Sequence, residues 1–97
     1  QATLVVGTHT HIPTNDAHVL KGGTAYQTDA GMCGDYDSVI GMNKENSLNR
    51  FLKKDSLKHF PATGKATLCG VIVDCNSETG LAKKVDSFIF GGQLKNT

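Results

Sequence analysis

A short aliphatic run that halts at a glycine and passes straight into two histidines constrains this chain more than any other stretch. It reads Leu4-Val5-Val6-Gly7-Thr8-His9-Thr10-His11-Ile12-Pro13-Thr14. Residues Ala2 to Val6 are rich in β-branched side chains and read as a short buried strand. Gly7 lets the chain leave that strand sharply, because it carries no Cβ. Pro13 ends pairing soon after, since it has no N–H to donate. In an extended backbone residues two apart point to one side, so His9 and His11 are expected to face one place together. Two imidazoles at a strand end suit a divalent transition ion. A metal site needs three or more protein ligands, so the pair makes only part of one. Two loop histidines hydrogen-bonded to backbone or water are the competing reading.

Length and charge narrow the classes. Ninety-seven residues make one small domain. The hydrophobic share of 38% is low in core formers, so the core is expected to be thin unless something else covers it. A net charge of +1 argues against a strongly basic nucleic-acid surface, and so against DNA as a partner, and against an acidic tail. No apolar run approaches the roughly 18–20 residues of a membrane span, and the first residues lack a signal-peptide pattern. Three cysteines, Cys33, Cys69 and Cys75, form no even disulfide framework, which points to a reducing cytoplasm. Gln1 leads at once into a core-like strand, a start that processed native domains and pieces of longer proteins share, so both readings stay open at this point.

Further along, Thr14-Asn15-Asp16 reads as a turn and Gly22-Gly23 as another. Thr24 to Asp29 has the composition of a second strand, stopped by the glycine-punctuated loop Ala30 to Gly34. Ser38 to Met42 is expected to be extended. Asn43 caps a helix over Lys44 to Lys54, with Glu45 in its first turn and Lys53 and Lys54 in its last. Leu48, Phe51 and Leu52 form its expected apolar stripe. Ala66 to Asp74 is the best strand in the chain. Leu81 to Phe90 returns antiparallel to it after the turn Asn76 to Gly80. Residues 91–97 read as a loose tail.

Taken in order, Gly7-Thr8-His9-Thr10-His11-Ile12-Pro13-Thr14, Gly22-Gly23-Thr24-Ala25-Tyr26, Thr28-Asp29-Ala30-Gly31-Met32 and Tyr36-Asp37-Ser38-Val39-Ile40-Gly41-Met42 form four blocks at tight spacing. This sequence resembles the C-terminal part of the YmdB-like bacterial metallophosphoesterases, within the calcineurin-like superfamily. The resemblance covers residues 1 to about 90. It implies an α/β (α+β) chain: the C-terminal portion of a four-layer sandwich, β-rich, with one main helix and a C-terminal hairpin. It implies hydrolysis of phosphodiesters such as 2′,3′-cyclic nucleotides by a hydroxide bridging two divalent ions, iron, manganese or zinc. His9 and His11 match the last two metal-binding histidines of that family.

Members of the resembled family are much longer, and their remaining ligands lie upstream. Those are an early aspartate, a Glu-Asn pair, the asparagine of a Gly-Asn-His block and another histidine. None has a counterpart here, so residues 1–97 are expected to be a single partial domain with an incomplete site, inactive alone and without a catalytic residue of its own. Its missing half is expected from the same polypeptide or another protomer, and homo-oligomeric assembly would be one such solution. The rival reading is a non-catalytic folding or oligomerisation module that binds at most one adventitious ion.

The other chemistry-bearing residues have bland readings. His18 and His59 are expected to be ordinary loop histidines. Cys69 and Cys75 are expected to be buried free thiols, and Cys33 has no evident partner. Asp29, Asp35 and Asp37 are expected to cap turns, with Asp29 also able to orient a ligand histidine. Thr8 and Thr10 are expected to bond backbone. Gly22-Gly23 lacks the lysine and following helix of a phosphate cradle.

Overall fold

The computed structural model describes residues 2–51, 60–92 and 94. Two small sheets are linked edge to edge. The first contains β1 (Leu4–Val6), β2 (His18–Val19) and β3 (Ala25–Gln27), in the order β1-β3-β2. β1 runs parallel to β3 with Leu4 opposite Ala25 and Val6 opposite Gln27, while β2 pairs antiparallel on the other side. The Gly22-Gly23 turn joins β2 to β3, Gly23 taking a φ of 92° that favours glycine. The second sheet contains β4 (Gly34–Asp35), β5 (Ala66–Cys75) and β6 (Ala82–Phe90) in chain order.

β5 and β6 are the expected antiparallel hairpin, paired from Leu68–Phe90 down to Cys75–Ala82. Its turn is closed by Asn76, whose amide donates to the Leu81 carbonyl at 2.8 Å and whose Oδ1 accepts from the Glu78 amide at 2.8 Å. The sheets are stitched together where the Ala82 amide donates to the Gly23 carbonyl at 2.7 Å and Thr3 Oγ1 donates to the Gly80 carbonyl at 2.7 Å.

The helix α1 (Lys44–Phe51) begins where expected, with Asn43 Oδ1 accepting from the Asn46 amide at 2.9 Å. Leu52 to Lys54 and His59 lie outside the described residues. Of the expected stripe Leu48 is exposed, while Asn46 is buried, and the Phe51 side chain, like Leu52, is outside what the structure describes. Ser38 to Met42 is not extended either. Val39 and Met42 exchange backbone hydrogen bonds across a tight turn, with Ile40 and Gly41 at its corner.

The interior is thin and unusually polar. Among the described residues the buried apolar side chains are Ala25, Cys69 and Ala82, whereas Gln27, Asp29 and Thr67 are the largest fully buried ones. β1 is half-buried rather than buried: Leu4 and Val6 face inward, and Val5 is exposed on an edge strand with one uncovered face. Leu68, Ile72 and Phe90 are exposed on one side of the hairpin. The Phe88 ring on that side lies against Gly70, where a Cβ would meet its Cζ at 2.6 Å. The chain measures 57 × 25 × 18 Å, with a radius of gyration of 17.0 Å. A closed domain of this length has about 12–13 Å, so the hairpin extends well beyond a compact body. Gly91 and Gly92, at the head of the expected tail, lie against β5, and the Gly91 carbonyl accepts from Thr67 Oγ1 at 2.9 Å. No helix of the described residues is long and apolar enough to cross a membrane.

Candidate functional site

Because β1 and β3 are parallel neighbours, their C-terminal ends emerge side by side, the place where open sheets of this kind bind ligands. The segment that follows β1 carries His9 and His11, and the one that follows β3 carries Asp29 and Gly31. Gly7 makes their contact possible. Its amide donates to the Gln27 carbonyl at 3.2 Å, and its own carbonyl accepts from the Ala30 amide at 2.9 Å. A Cβ on Gly7 would collide with the Thr28 carbonyl. Gly7 is thus required by a close backbone approach, not only by a sharp exit from the strand.

Asp29 is the clamp of the site. It is 1% exposed, and its Oδ2 accepts from both the amide and the hydroxyl of Thr10, at 2.6 and 2.7 Å. Its Oδ1 accepts from the Gly31 amide at 2.8 Å. The Thr10 hydroxyl, and after it the Gly31 amide, hold the Asp29 carboxyl below the ordinary carboxylate range. The far end of the histidine loop is tied to the same residue. The Thr14 amide donates to the Asp29 carbonyl at 3.0 Å, and Thr14 Oγ1 accepts from the Asp29 amide at 2.9 Å. Beneath them Gln27 Nε2 donates to the Thr14 and Asp29 carbonyls at 3.1 and 2.9 Å. Asp29 therefore grips the residue between the two histidines rather than either imidazole. It caps its own turn through the Gly31 amide, as the sequence suggests, and reaches back to Thr10 as well, but it is not the direct ring partner of a histidine.

The loop itself differs from expectation. Residues 9–12 form bends, not extended backbone, and His11 has a φ of 67°. Two-residue alternation therefore does not apply to His9 and His11. His11 Nδ1 donates to the Ile40 carbonyl at 2.9 Å. His9 is exposed and forms no hydrogen bond among the described residues. Beside His11 lies a cavity of about 310 Å³ whose walls include Thr8, Met32, Ile40 and Met42.

The remaining candidates fall elsewhere. His18 sits on β2 with Nδ1 2.5 Å from the Asp16 carbonyl and its ring edge-on to Tyr26. All three cysteines are free. Cys69 is buried under Tyr36, whose hydroxyl is 3.3 Å from its Sγ, but Cys75 is exposed at the end of β5, contrary to expectation. Asp35 caps its own turn through the Asp37 amide and also accepts from the Gly64 amide, each at 2.9 Å. Asp37 pairs with Lys44 at 2.8 Å in solvent. Sequence reasoning passed over Asp16, whose carboxylate accepts from Thr14 Oγ1 at 2.6 Å and from the amide and hydroxyl of Thr28. An aspartate two residues after a threonine was the available signal.

The donor chemistry fits a borderline divalent ion in part. Imidazole nitrogen suits such ions, and His11 keeps Nε2 clear of its hydrogen bond to Ile40. Among the described residues, however, no three His, Cys, Asp or Glu side chains converge. Any complete coordination shell draws on donors beyond this pair.

Similarity to known proteins agrees with this architecture. It is 43% identical over 89 residues to a 2′,3′-cyclic-nucleotide 2′-phosphodiesterase of Bacillus subtilis (strain 168), a match that takes in 92% of this chain and 34% of that protein. It superposes with a TM-score of 0.82, at 39% identity, on the crystal structure of a hypothetical protein from Thermus thermophilus, covering 95% of this chain and 36% of the other. A phosphatase from Mycoplasma pneumoniae gives a TM-score of 0.81 at 34% identity, covering 92% and 32%. The chain thus spans about a third of the length of the relatives it matches. The family described as YmdB-like protein matches residues 1–88, nearly the whole chain, and this chain belongs to that family.

Proposed function

We propose that this chain is the C-terminal part of a metal-dependent phosphodiesterase, and that it contributes His9 and His11 to a dinuclear metal centre. The observation that carries the reading is the Asp29 clamp. A buried carboxylate is spent on fixing the residue between the two histidines, at the sheet edge where ligands bind. The name of the Bacillus subtilis relative supports a phosphodiester substrate, with cyclic nucleotides as the finer reading.

Two divalent ions held there would lower the pKa of water and neutralise charge on the phosphoryl oxygens. His9 and His11 bind through imidazole nitrogen. Asp29 and Thr14 orient the loop that bears them, and Met32, Ile40 and Met42 offer an apolar wall to the organic part of the substrate. The remaining metal donors come from protein beyond this chain or from another protomer. Metal titration of the longer protein tests the reading: His9→Ala and His11→Ala should each abolish tight binding of one ion. Unchanged manganese and zinc stoichiometry in both variants would contradict it.

A further inference from the structure

We propose that the Ile40–Gly41 turn is a positioning element for His11, fixing its ring in the Nδ1–H tautomer and so presenting Nε2 to the ion. The inference rests on the reading of His11 as a metal ligand and adds the device that prepares it. A carbonyl oxygen only accepts, so a ring nitrogen 2.9 Å from the Ile40 oxygen carries the proton. A neutral imidazole has one N–H, and its lone pair is then at Nε2.

The backbone around this bond is unusual at both ends. Among the described residues, His11 and Ile40 are the two non-glycine residues with positive φ, at 67° and 46°. They are hydrogen-bonded to each other across 29 positions of sequence. For a β-branched residue such a φ is a genuine outlier, and it persists only where the surroundings over-determine it. They do so here. Val39 and Met42 exchange hydrogen bonds of 3.0 and 2.9 Å, the Gly41 amide donates to Ser38 Oγ at 2.8 Å, and the Ala62 amide donates to the Gly41 carbonyl at 2.8 Å. Gly41 has a φ of 91°, and a Cβ there would lie 2.7 Å from Met32 Sδ, so glycine alone fits the corner. A residue such as asparagine would ease the strain at position 40. Isoleucine keeps the cavity wall apolar and still delivers its carbonyl to the ring.

The test is imidazole ¹H–¹⁵N correlation spectroscopy of the longer protein without metal, at about pH 8.5, some two units above the ordinary histidine pKa of about 6.5. His11 should appear as the Nδ1–H tautomer in large excess. His9 should show the mixture of a free imidazole, in which the Nε2–H form predominates. In Gly41→Val the turn cannot hold, and His11 should revert to the pattern of His9. His18, bonded through Nδ1 to the Asp16 carbonyl, should keep its own pattern and so report an intact fold. Ile40→Asn, which tolerates the left-handed region, should leave His11 locked. Zinc affinity of the longer protein should fall about 10–100-fold in Gly41→Val. An Nε2–H His11 in the native chain beside a locked His18, or a His11 unmoved by Gly41→Val, would overturn the inference. A locked His11 in a protein that takes no metal would instead sink the proposed function and leave the tautomer assignment standing.

Discussion

Asp29 Oδ2 lies 2.6 Å from the amide nitrogen and 2.7 Å from the hydroxyl of Thr10, a residue 19 positions earlier in the chain. Both of its donors come from the one residue between His9 and His11. Asp29 thereby holds the loop without engaging either imidazole, and His9 and the Nε2 of His11, whose Nδ1 bonds the Ile40 carbonyl, stay available for a ligand. The parallel pairing of β1 with β3 is what brings the two residues together.

Removing that clamp should loosen the histidines without unfolding the sheet. Asp29→Asn in the longer protein should weaken metal binding about 10–100-fold, the usual cost of losing a group that orients a ligand. Thr10→Val removes only the hydroxyl and keeps the amide, so its effect should be smaller. Calorimetric titration with manganese or zinc would rank the two.

Gly7→Ala should be costly although glycine and alanine differ by one methyl group. The added Cβ collides with the Thr28 carbonyl, and backbone cannot rotate aside as a side chain can. Overpacking of this kind costs about 1–3 kcal/mol, and a urea unfolding midpoint would measure it.

Asp16 should set part of the acid limit of stability. Hydrogen bonds from the Thr14 and Thr28 hydroxyls, and then from the Thr28 amide, lower its pKa from 3.8 to about 2. A depressed folded pKa gives stability that is present above the unfolded value and lost as pH falls through the folded one. The expected window therefore runs from about pH 4 down to about pH 2. Asp16→Asn should flatten the stability profile there, as followed by circular dichroism during acid titration.

Tyr36 should act at the opposite limit. Its hydroxyl accepts from the Met32 amide at 2.7 Å and donates to the Met32 carbonyl at 2.9 Å. Burial, and after it the contact with Cys69, push its pKa up to about 12. A raised tyrosine pKa favours the folded state up to the ordinary value near 10, and that contribution is lost as pH rises from about 10 to 12. Tyr36→Phe should remove this alkaline slope and cost about 1 kcal/mol near neutrality. Absorbance of the tyrosinate during alkaline unfolding would follow it.

The legible parts of the molecule were those governed by local chemistry. The Asn43 cap, the Asn76–Gly80 turn and the long hairpin follow from residues within a few positions of one another. Gly7 was also legible as a special position, though its cause, the Thr28 carbonyl, belongs to another segment of the sheet. What escaped was set by contacts across the chain. Leu48 has helical spacing from Phe51, yet spacing alone does not supply a wall to pack against, and Leu48 is exposed. His9 and His11 carry the spacing of an extended pair, but bonds to Asp29 and Ile40 fold their segment into bends. Isoleucine's own preferences do not put it in a left-handed turn: the Val39–Met42 bonds close that turn, and the carbonyl it presents meets His11.

The most direct measurement is metal content and hydrolysis of an aryl phosphodiester with manganese, in two samples: this chain alone and the full-length reading frame that contains it. The account predicts bound metal and turnover only in the longer protein, and their loss there in His9→Ala and His11→Ala. Equal activity in both samples would contradict it, because a chain with two of the ligands would then have assembled a complete site by itself.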